Sequence, residues 1–440
     1  MPDDDLRSQL ELTRALLAQA RADRDRIQEA LLRQEQQLQL LRRIPLLRSA
    51  YRARTALAQR QRPVRSPGPT TPVRAAAGPL QPGRFLDVSV LRNPTRTGIA
   101  RVTVRLAREL GYGQVSLVHG RLVHDVSFYE EVHGHAPPTD LVARHGSDLV
   151  PGPGVAVLNT AIQLDADFTE WKGQILTLRR RGGAFVQVVH DLLPITLPDF
   201  FDYGMRRRFP EWLSFVAANS DLILTDSGAT RDELITWLPA PDPPGSIPPL
   251  VPWPLGCDPL PAPRSGGSVS GGPRLLVVGT VEPRKAVDVI LAAATRLRDT
   301  GSPVHLTLIG HRGWADESLT QSLDLLASQE WFTWFDKADD QTLADHYACS
   351  DLLIAASRGE GYGLPVAEAR AMGLPVLARD LPVFRELLGA EGSYFSHDEQ
   401  LPDAIRRALA SDEPRRPRPM TTWRQAADHV NAAITAHTGS

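Results

Sequence analysis

The strongest constraint on this chain is a repeated alternation of short apolar strands and amphipathic helices, broken once by a proline-rich stretch. The first run reads RFLDVSVL (84–91), GVAVLNT (154–160), AFVQVVHDLLP (184–194) and SDLILTDSGATRDELITWL (220–238). Each apolar segment ends in polar residues and leads into a helix. In IARVTVRLAREL, Ile99, Val102, Leu106 and Leu110 share one face. Residues 239–273 then hold twelve prolines and end in RSGGSVSGGP. The alternation restarts with RLLVVGT (274–280), PVHLTLIG (303–310), SDLLIAAS (350–357) and LPVLARD (374–380). Strands that alternate with helices predict parallel sheets covered on both faces. A chain of 440 residues also exceeds what one core usually organises. The expected architecture is therefore α/β, with doubly wound domains at 84–258 and 274–440 joined by a Pro/Gly/Ser hinge at 259–273. The last helix has room to cross back to the first domain. In such sheets a ligand binds beyond the carboxyl ends of the strands.

The N-terminal residues read differently. Residues 6–41 carry a seven-residue pattern, with Leu10, Leu17, Leu31 and Leu38 on one seam position and Leu6, Ala20, Ile27 and Leu41 on the other. Arg24, Thr13 and Gln34 interrupt it. The pattern suits a short coiled coil, giving a homo-oligomer or docking on a partner helix; an isolated solvated helix is the competing reading. No acidic residue falls between Gln36 and Leu86, whereas arginines recur from Arg42 to Arg84. Leu40, Leu41, Ile44, Leu47 and Tyr51 follow helical spacing there, so residues 40–62 could lie on an anionic membrane surface. Pro45 weakens that helix, and a solvated basic linker competes with it. Residues 1–62 are thus expected to be helical, and 63–83 a proline-rich tether.

Composition excludes several classes. Lys plus Arg number 49 against 51 Asp plus Glu, which argues against a general nucleic-acid binder. No apolar run approaches the roughly eighteen residues of a membrane span, and MPDDDLRSQL lacks the features of a secretion signal. A cytoplasmic protein, peripheral at the inner face of the plasma membrane if residues 40–62 bind lipid, is expected. Cys257 and Cys349 have no metal-ligand spacing, so neither zinc nor a disulfide is expected. The pair in DAD (165–167) reads as a loop coincidence rather than a metal site.

Two stretches carry chemistry. After LLVVGT, the residues VEPRKAVDV set Arg284 and Lys285 where a strand gives way to a helix. Helix N-termini offer free amides and a positive dipole end, and two added cations make a strong anion site there, suited to a diphosphate. The other reading, two solvated basic residues, fits poorly because helix starts prefer acids. One unit later, DLLIAAS leads into RGEGYG, and Leu364 and Pro365 open a helix. Gly361 and Gly363 flank Tyr362 and let backbone amides approach a ligand closely. Glu360 then sits in the loop and Glu368 one turn into the helix. Carboxylates accept two hydrogen bonds from vicinal hydroxyls, so one could hold a ribose and the other a sugar. A Glu368 that merely faces solvent would leave the loop glycines unexplained.

EGYGLPVAE resembles the glutamate, seven residues, glutamate signature of family 4 retaining glycosyltransferases, which have the GT-B fold of two Rossmann-like domains facing a cleft. VVGTVEPRK is similar to that family's phosphate-binding turn, RTGIARVTVRLAREL to its first N-domain loop and helix, and VVHDLLPITLP to its histidine segment. ARDLPVFRELLGAEGSYF is similar to its C-terminal domain, and these segments look most similar to the mannosyl- and rhamnosyltransferase branch for bacterial surface polysaccharides. The resemblance covers roughly residues 84–435. It implies an N-terminal acceptor domain and a C-terminal nucleotide-sugar donor domain. It implies that Arg284 and Lys285 bind the donor diphosphate, that Glu368 binds the ribose, and that Glu360 with the amides of Gly361, Tyr362, Gly363 and Leu364 holds the donor sugar. Gly98 would approach the phosphate or acceptor from across the cleft, and His190 would lie near the reacting carbon. Two positions depart from the family's pattern: Ala286 stands where Asn often follows the Arg-Lys pair, and the base-binding loop reads WFDKADDQTL without glycine.

The implied reaction moves a hexose, mannose or a related sugar, from a nucleotide-diphosphate sugar to a polysaccharide or lipid-linked glycan. GDP-mannose is the first donor expectation, with UDP-hexose or dTDP-rhamnose next. Negative charge develops on the leaving phosphate, so placed cations and helix amides would supply the stabilisation, with no cofactor and no metal required. The alternative from another class is a non-catalytic nucleotide-binding scaffold that organises a polysaccharide-synthesis complex through its coiled coil. Intact Arg284, Lys285, Glu360 and Glu368 speak against it. A dinucleotide oxidoreductase is disfavoured because no strand leads into a three-glycine phosphate loop.

Overall fold

The computed structural model describes residues 83–93, 98–118, 121–164, 168–238, 247–257, 260–264, 272–313, 317–411 and 415–438. The N-terminal heptads, the basic stretch, the tether up to residue 82, the DAD residues and much of the hinge lie outside the described residues. So do the proposed contacts of residues 6–41 and 40–62. The chain divides into two compact units. In one, only Asp202–Arg208 is described, where Asp202 Oδ1 accepts from Met205 N (3.0 Å) at a helix start. The other, Ala76–Phe201 with Phe209–Ser440, holds both sheets.

The first sheet is built from β1 (Arg84–Asp87), β2 (Gly113–Val118), β3 (Arg121–His124), β4 (Ala156–Asn159), β5 (Ala184–Val189), β6 (Leu222–Thr225) and β7 (Leu250–Pro252). Their spatial order is β3-β2-β1-β4-β5-β6-β7, all parallel except the edge pair β2 and β3. The second sheet, β8 (Arg274–Val278), β9 (His305–Ile309), β10 (Phe332–Phe335), β11 (Leu352–Ala355), β12 (Val376–Arg379) and β13 (Ser393–Phe395), runs β10-β9-β8-β11-β12-β13 and is parallel throughout. β4, β5 and β6 are buried at every residue, as central strands covered on both faces must be. The eight-residue expectation at 84–91 shortens to β1, because Ser89–Arg92 closes into a 3-10 turn with Asp87 Oδ1 accepting from Ser89 N (2.8 Å).

The two sheets share one apolar core. It runs from Leu86, Leu106 and Val186 of the first half to Tyr362, Val366 and Phe384 of the second, and a smaller cluster underlies the second sheet alone. The helix Trp423–Thr438 follows the second sheet in sequence but packs on the helix Gly98–Leu110 of the first. Trp253 Nε1 donates to Ala426 O (2.8 Å), Arg84 Nη1 to Asn431 Oδ1 (3.1 Å), and Tyr112 OH to the same oxygen (2.6 Å). Among the described residues no helix is long and apolar enough to cross a membrane.

Candidate functional site

Both stretches singled out by sequence follow the carboxyl ends of strands. β8 leads through Gly279 into the turn Pro283–Lys285, and the helix Val287–Asp299 begins after Ala286. Ala286 is the one described non-glycine residue with positive φ, 51°. A left-handed position suits asparagine better than alanine, which gives the family's usual Asn a physical reason there. β11 leads into the loop that holds Glu360, and Gly363, at φ 94°, turns the chain into the helix Leu364–Ala371. A Cβ at Gly363 would press on the Phe384 ring as well as strain the backbone.

The structure brings Glu360, Arg284 and Lys285 together. Lys285 Nζ pairs with Glu360 Oε1, and Arg284 Nη1 lies 3.3 Å from Oε2. Arg284 also donates to Gly359 O (2.7 Å) and pairs with the buried Glu282, which sequence reading had passed over. Burial disfavours charge on Glu360, but Lys285 and Arg284 outweigh it and hold the carboxyl down at about 2. Asp191 joins the field of this cluster from the first half; burial pushes its carboxyl up, against the pull of Arg284. Lys285, Glu360, Gly279, Gly363 and Pro365 border a cavity of about 30 Å³. Glu360 thus pairs with both cations that the family resemblance assigns to a donor diphosphate.

Glu368 is 3% exposed and forms a second centre. Its Oε1 accepts from Arg101 Nη2 (2.5 Å) and its Oε2 from Tyr347 OH (2.9 Å). Arg101 is on the helix that Gly98 starts, so Gly98 lies one turn from a residue that bonds Glu368. A Cβ at Gly98 would meet nothing within 4 Å. The expected base-binding loop resolves into the end of β10 and the helix Asp340–Cys349, whose Asp339 cap accepts from Thr342 N (2.7 Å).

His190 follows β5 and is buried. Nδ1 lies 2.7 Å from Asp226 Oδ2 and Nε2 lies 2.7 Å from Thr160 O, so both nitrogens face acceptors and the ring holds two protons. Burial opposes that charge, yet Asp226 and Thr160 raise its pKa to about 9. The ring is therefore committed to the first half, while the backbone of His190 touches the donor loop: a Cβ on Gly361 would overlap its carbonyl oxygen. Tyr362 turns its hydroxyl to Leu255 O (3.0 Å) and its ring into the shared core. Leu364 opens its helix beside that core. Arg101, Tyr347, Asp191 and Glu282 are the partners that sequence reading missed. An adjoining-acid signal existed for Asp191 in VVHD and for Glu282 in VEPRK, but none for Arg101 or Tyr347.

Residues 272–411 match the family described as Glycosyl transferases group 1. The chain is 31% identical over 381 residues to the Serotype-specific mannosyltransferase WbdA of Escherichia coli, covering 79% of this chain and 44% of that protein. It is 26% identical over 318 residues to the O-antigen chain mannosyltransferase B of Escherichia coli, covering 67% of this chain and 82% of that one. It thus spans less than half the length of WbdA. Among solved structures, Anabaena HepE in complex with UDP-glucose superposes with a TM-score of 0.54 at 15% identity, covering 80% of this chain and 95% of that one. The two-sheet architecture is that of GT-B glycosyltransferases.

Proposed function

We propose that the chain is a retaining hexosyltransferase of bacterial surface polysaccharide synthesis, a reading supported by the match of residues 272–411 to the group 1 glycosyltransferase family. It moves mannose or a related hexose from a nucleotide-diphosphate sugar to a polysaccharide or lipid-linked glycan. The observation that carries this reading is the half-buried Glu360 held between Lys285 and Arg284 at the carboxyl ends of β8 and β11. Mannose comes first because the similar proteins WbdA and O-antigen chain mannosyltransferase B are mannosyltransferases.

In this reading the donor diphosphate binds Arg284 and Lys285, the ribose takes Glu368, and Glu360 moves to the sugar hydroxyls. As the glycosidic bond to phosphate lengthens, charge grows on the leaving oxygen. Two cations already in place, in a buried site, stabilise it without reorganising, and the reaction needs no resident metal. The acceptor hydroxyl gives its proton to the departing phosphate, on the same face, so no covalent role falls to Glu360. His190, with both ring nitrogens engaged, shapes the site through its backbone. The cytoplasmic side of the membrane, where nucleotide sugars are made, is the proposed location.

A thermal-shift screen of the purified protein against GDP, UDP, dTDP, ADP and their sugar conjugates tests this, since a ligand that binds only the folded state raises its melting temperature. A selective shift with one nucleotide, followed by sugar transfer from its conjugate, is the expected result. No shift with any of them would overturn the reading.

A further inference from the structure

The loop that holds Glu360 is gripped from the other half. Ser227 caps the helix Gly228–Trp237 by accepting from Thr230 N (3.0 Å), and its hydroxyl donates to Gly361 O (2.8 Å). Thr230 Oγ1 lies 3.3 Å from that carbonyl and 3.3 Å from His190 O. Ser227 and Thr230 are 2% and 3% exposed, so these bonds form away from water. Gly361 fits between them because it lacks the Cβ that would strike His190 O. The next residue, Tyr362, is held at Leu255 O. Beside this contact Glu386 of the second half seats its carboxylate on the amides of Gly228 and Ala229, at 3.0 Å each, so the same helix start meets two segments of the second half. Glu360 precedes Gly361, whose carbonyl is gripped, and its carboxylate pairs with Lys285 and Arg284.

We infer that Ser227 is a positioning residue: by fixing the Gly361 carbonyl it sets where Glu360 presents its carboxylate, so the donor loop takes its working shape only while the two halves are docked. This deepens the proposed function, since the loop so placed is the one that reading assigns to the donor sugar. The partners of the hydroxyl are protein groups, the Gly361 carbonyl and the Thr230 amide. The hydroxyl acts through the Gly361–Tyr362 peptide, one residue beyond Glu360.

Ser227→Gly separates this role from capping, because glycine is tolerated at an N-cap while the hydroxyl is lost. Hydrogen exchange on the full chain reads the loop directly. In Ser227→Gly the amides of residues 357–364 are expected to exchange about tenfold faster, with those of β8 unchanged, and Ser227→Thr, which keeps the hydroxyl, to stay within about twofold of wild type. Unchanged exchange at 357–364, or an equal rise in β8, overturns the inference. In parallel, release of GDP from GDP-mannose should fall about tenfold in kcat with the donor KM within about twofold. A kcat equal to wild type in Ser227→Gly overturns the inference. A wild type that releases nucleotide from no donor refutes the proposed function instead, and the exchange result still decides the role of Ser227.

Discussion

Arg101 Nη2 lies 2.5 Å from Glu368 Oε1, which ties a helix of the first half to a buried carboxylate of the second. Tyr347 takes the other oxygen, so each oxygen of Glu368 has a partner. A ribose that binds Glu368 through Oε1 would compete with Arg101 for that oxygen. Arg101 is 38% exposed, and solvent weakens its side of the pair, so Arg101→Gln is expected to cost about 1–2 kcal/mol. The same variant should show a larger GDP-induced rise in melting temperature than wild type, because nothing has to be displaced. Calorimetry with and without GDP checks both. An equal or smaller rise would mean that Arg101 stays on Glu368 in the bound state or helps hold the nucleotide.

The ion cluster at Glu360 predicts an acid limb. Its folded carboxyl titrates at about 2 against 4.5 for a free glutamate, because Lys285 and Arg284 outweigh burial. A depressed pKa contributes stability that is complete above about pH 4.5 and lost as pH falls toward 2, up to about 3 kcal/mol. Lys285→Met removes the larger of the two attractions. Burial then counts for more, and the loss of stability between pH 5 and pH 2 in urea denaturation should shrink. An acid limb identical in the two proteins would show that Lys285 contributes nothing to it.

At the other end of the scale stands His190. Its pKa is raised from 6.5 to about 9, with Asp226 and Thr160 outweighing burial. A raised pKa contributes stability that is complete below pH 6.5 and lost as pH rises toward 9, again up to about 3 kcal/mol. Asp226→Asn takes away the main attraction. The variant should be less stable than wild type at pH 6, and the gap should narrow by pH 9. Urea denaturation at both pH values reads it, and a gap that does not depend on pH would mean the ring is neutral in the wild type.

How far the sequence carries this structure depends on where each partner lies in the chain. β5 and β11 are legible because a buried parallel strand must be apolar along its length, and the polar residues after them, His190 and Glu360, mark strand ends where ligands bind. Arg284, Lys285 and Glu360 meet because adjacent parallel strands, β8 and β11, bring their following loops together. Arg101 is another matter. It reads as one more arginine on an amphipathic helix, and only the docking of the two halves aims it at Glu368. The same holds for Ser227, legible as a helix cap but not as a partner of Gly361. β2 escapes the pattern because the buried Gln114 and Ser116 interrupt its apolar run, and β3 and β10 because they are four-residue strands at sheet edges: β10 buries only Phe332 fully. Without the register of the sheet, WFDKADDQTL looks like one loop.

The returning helix offers a test of how the halves stay together. Trp423 is 2% exposed, and Gly256 packs so closely on it that a Cβ there would strike the Trp423 backbone and ring. Trp423→Ala would leave a large void between the helix Trp423–Thr438 and the first half, at a cost of about 3–5 kcal/mol. The bond from Trp253 Nε1 to Ala426 O would weaken with it. Denaturation curves measure the loss. A cost below about 1 kcal/mol would mean that the terminal helix is not part of the cooperative unit.

The two glutamates that define the signature should fail in different ways. In the proposed reading Glu368 holds the ribose, which is bound equally before and during transfer. Glu368→Gln is therefore expected to raise the donor KM and nucleotide Kd about tenfold or more, with kcat changed less. In the same reading Glu360 exchanges its cations for the sugar as the donor arrives, and its orientation matters most while the anomeric carbon changes hands. Glu360→Gln should lower kcat about a hundredfold, a loss of roughly 3 kcal/mol in transition-state stabilisation. GDP itself should bind that variant as well as wild type or better, since Lys285 and Arg284 no longer face a competing carboxylate. Titration calorimetry with GDP and steady-state kinetics with the sugar conjugate separate these outcomes, and weaker GDP binding by Glu360→Gln would show that the carboxylate supports the diphosphate site rather than occupying it.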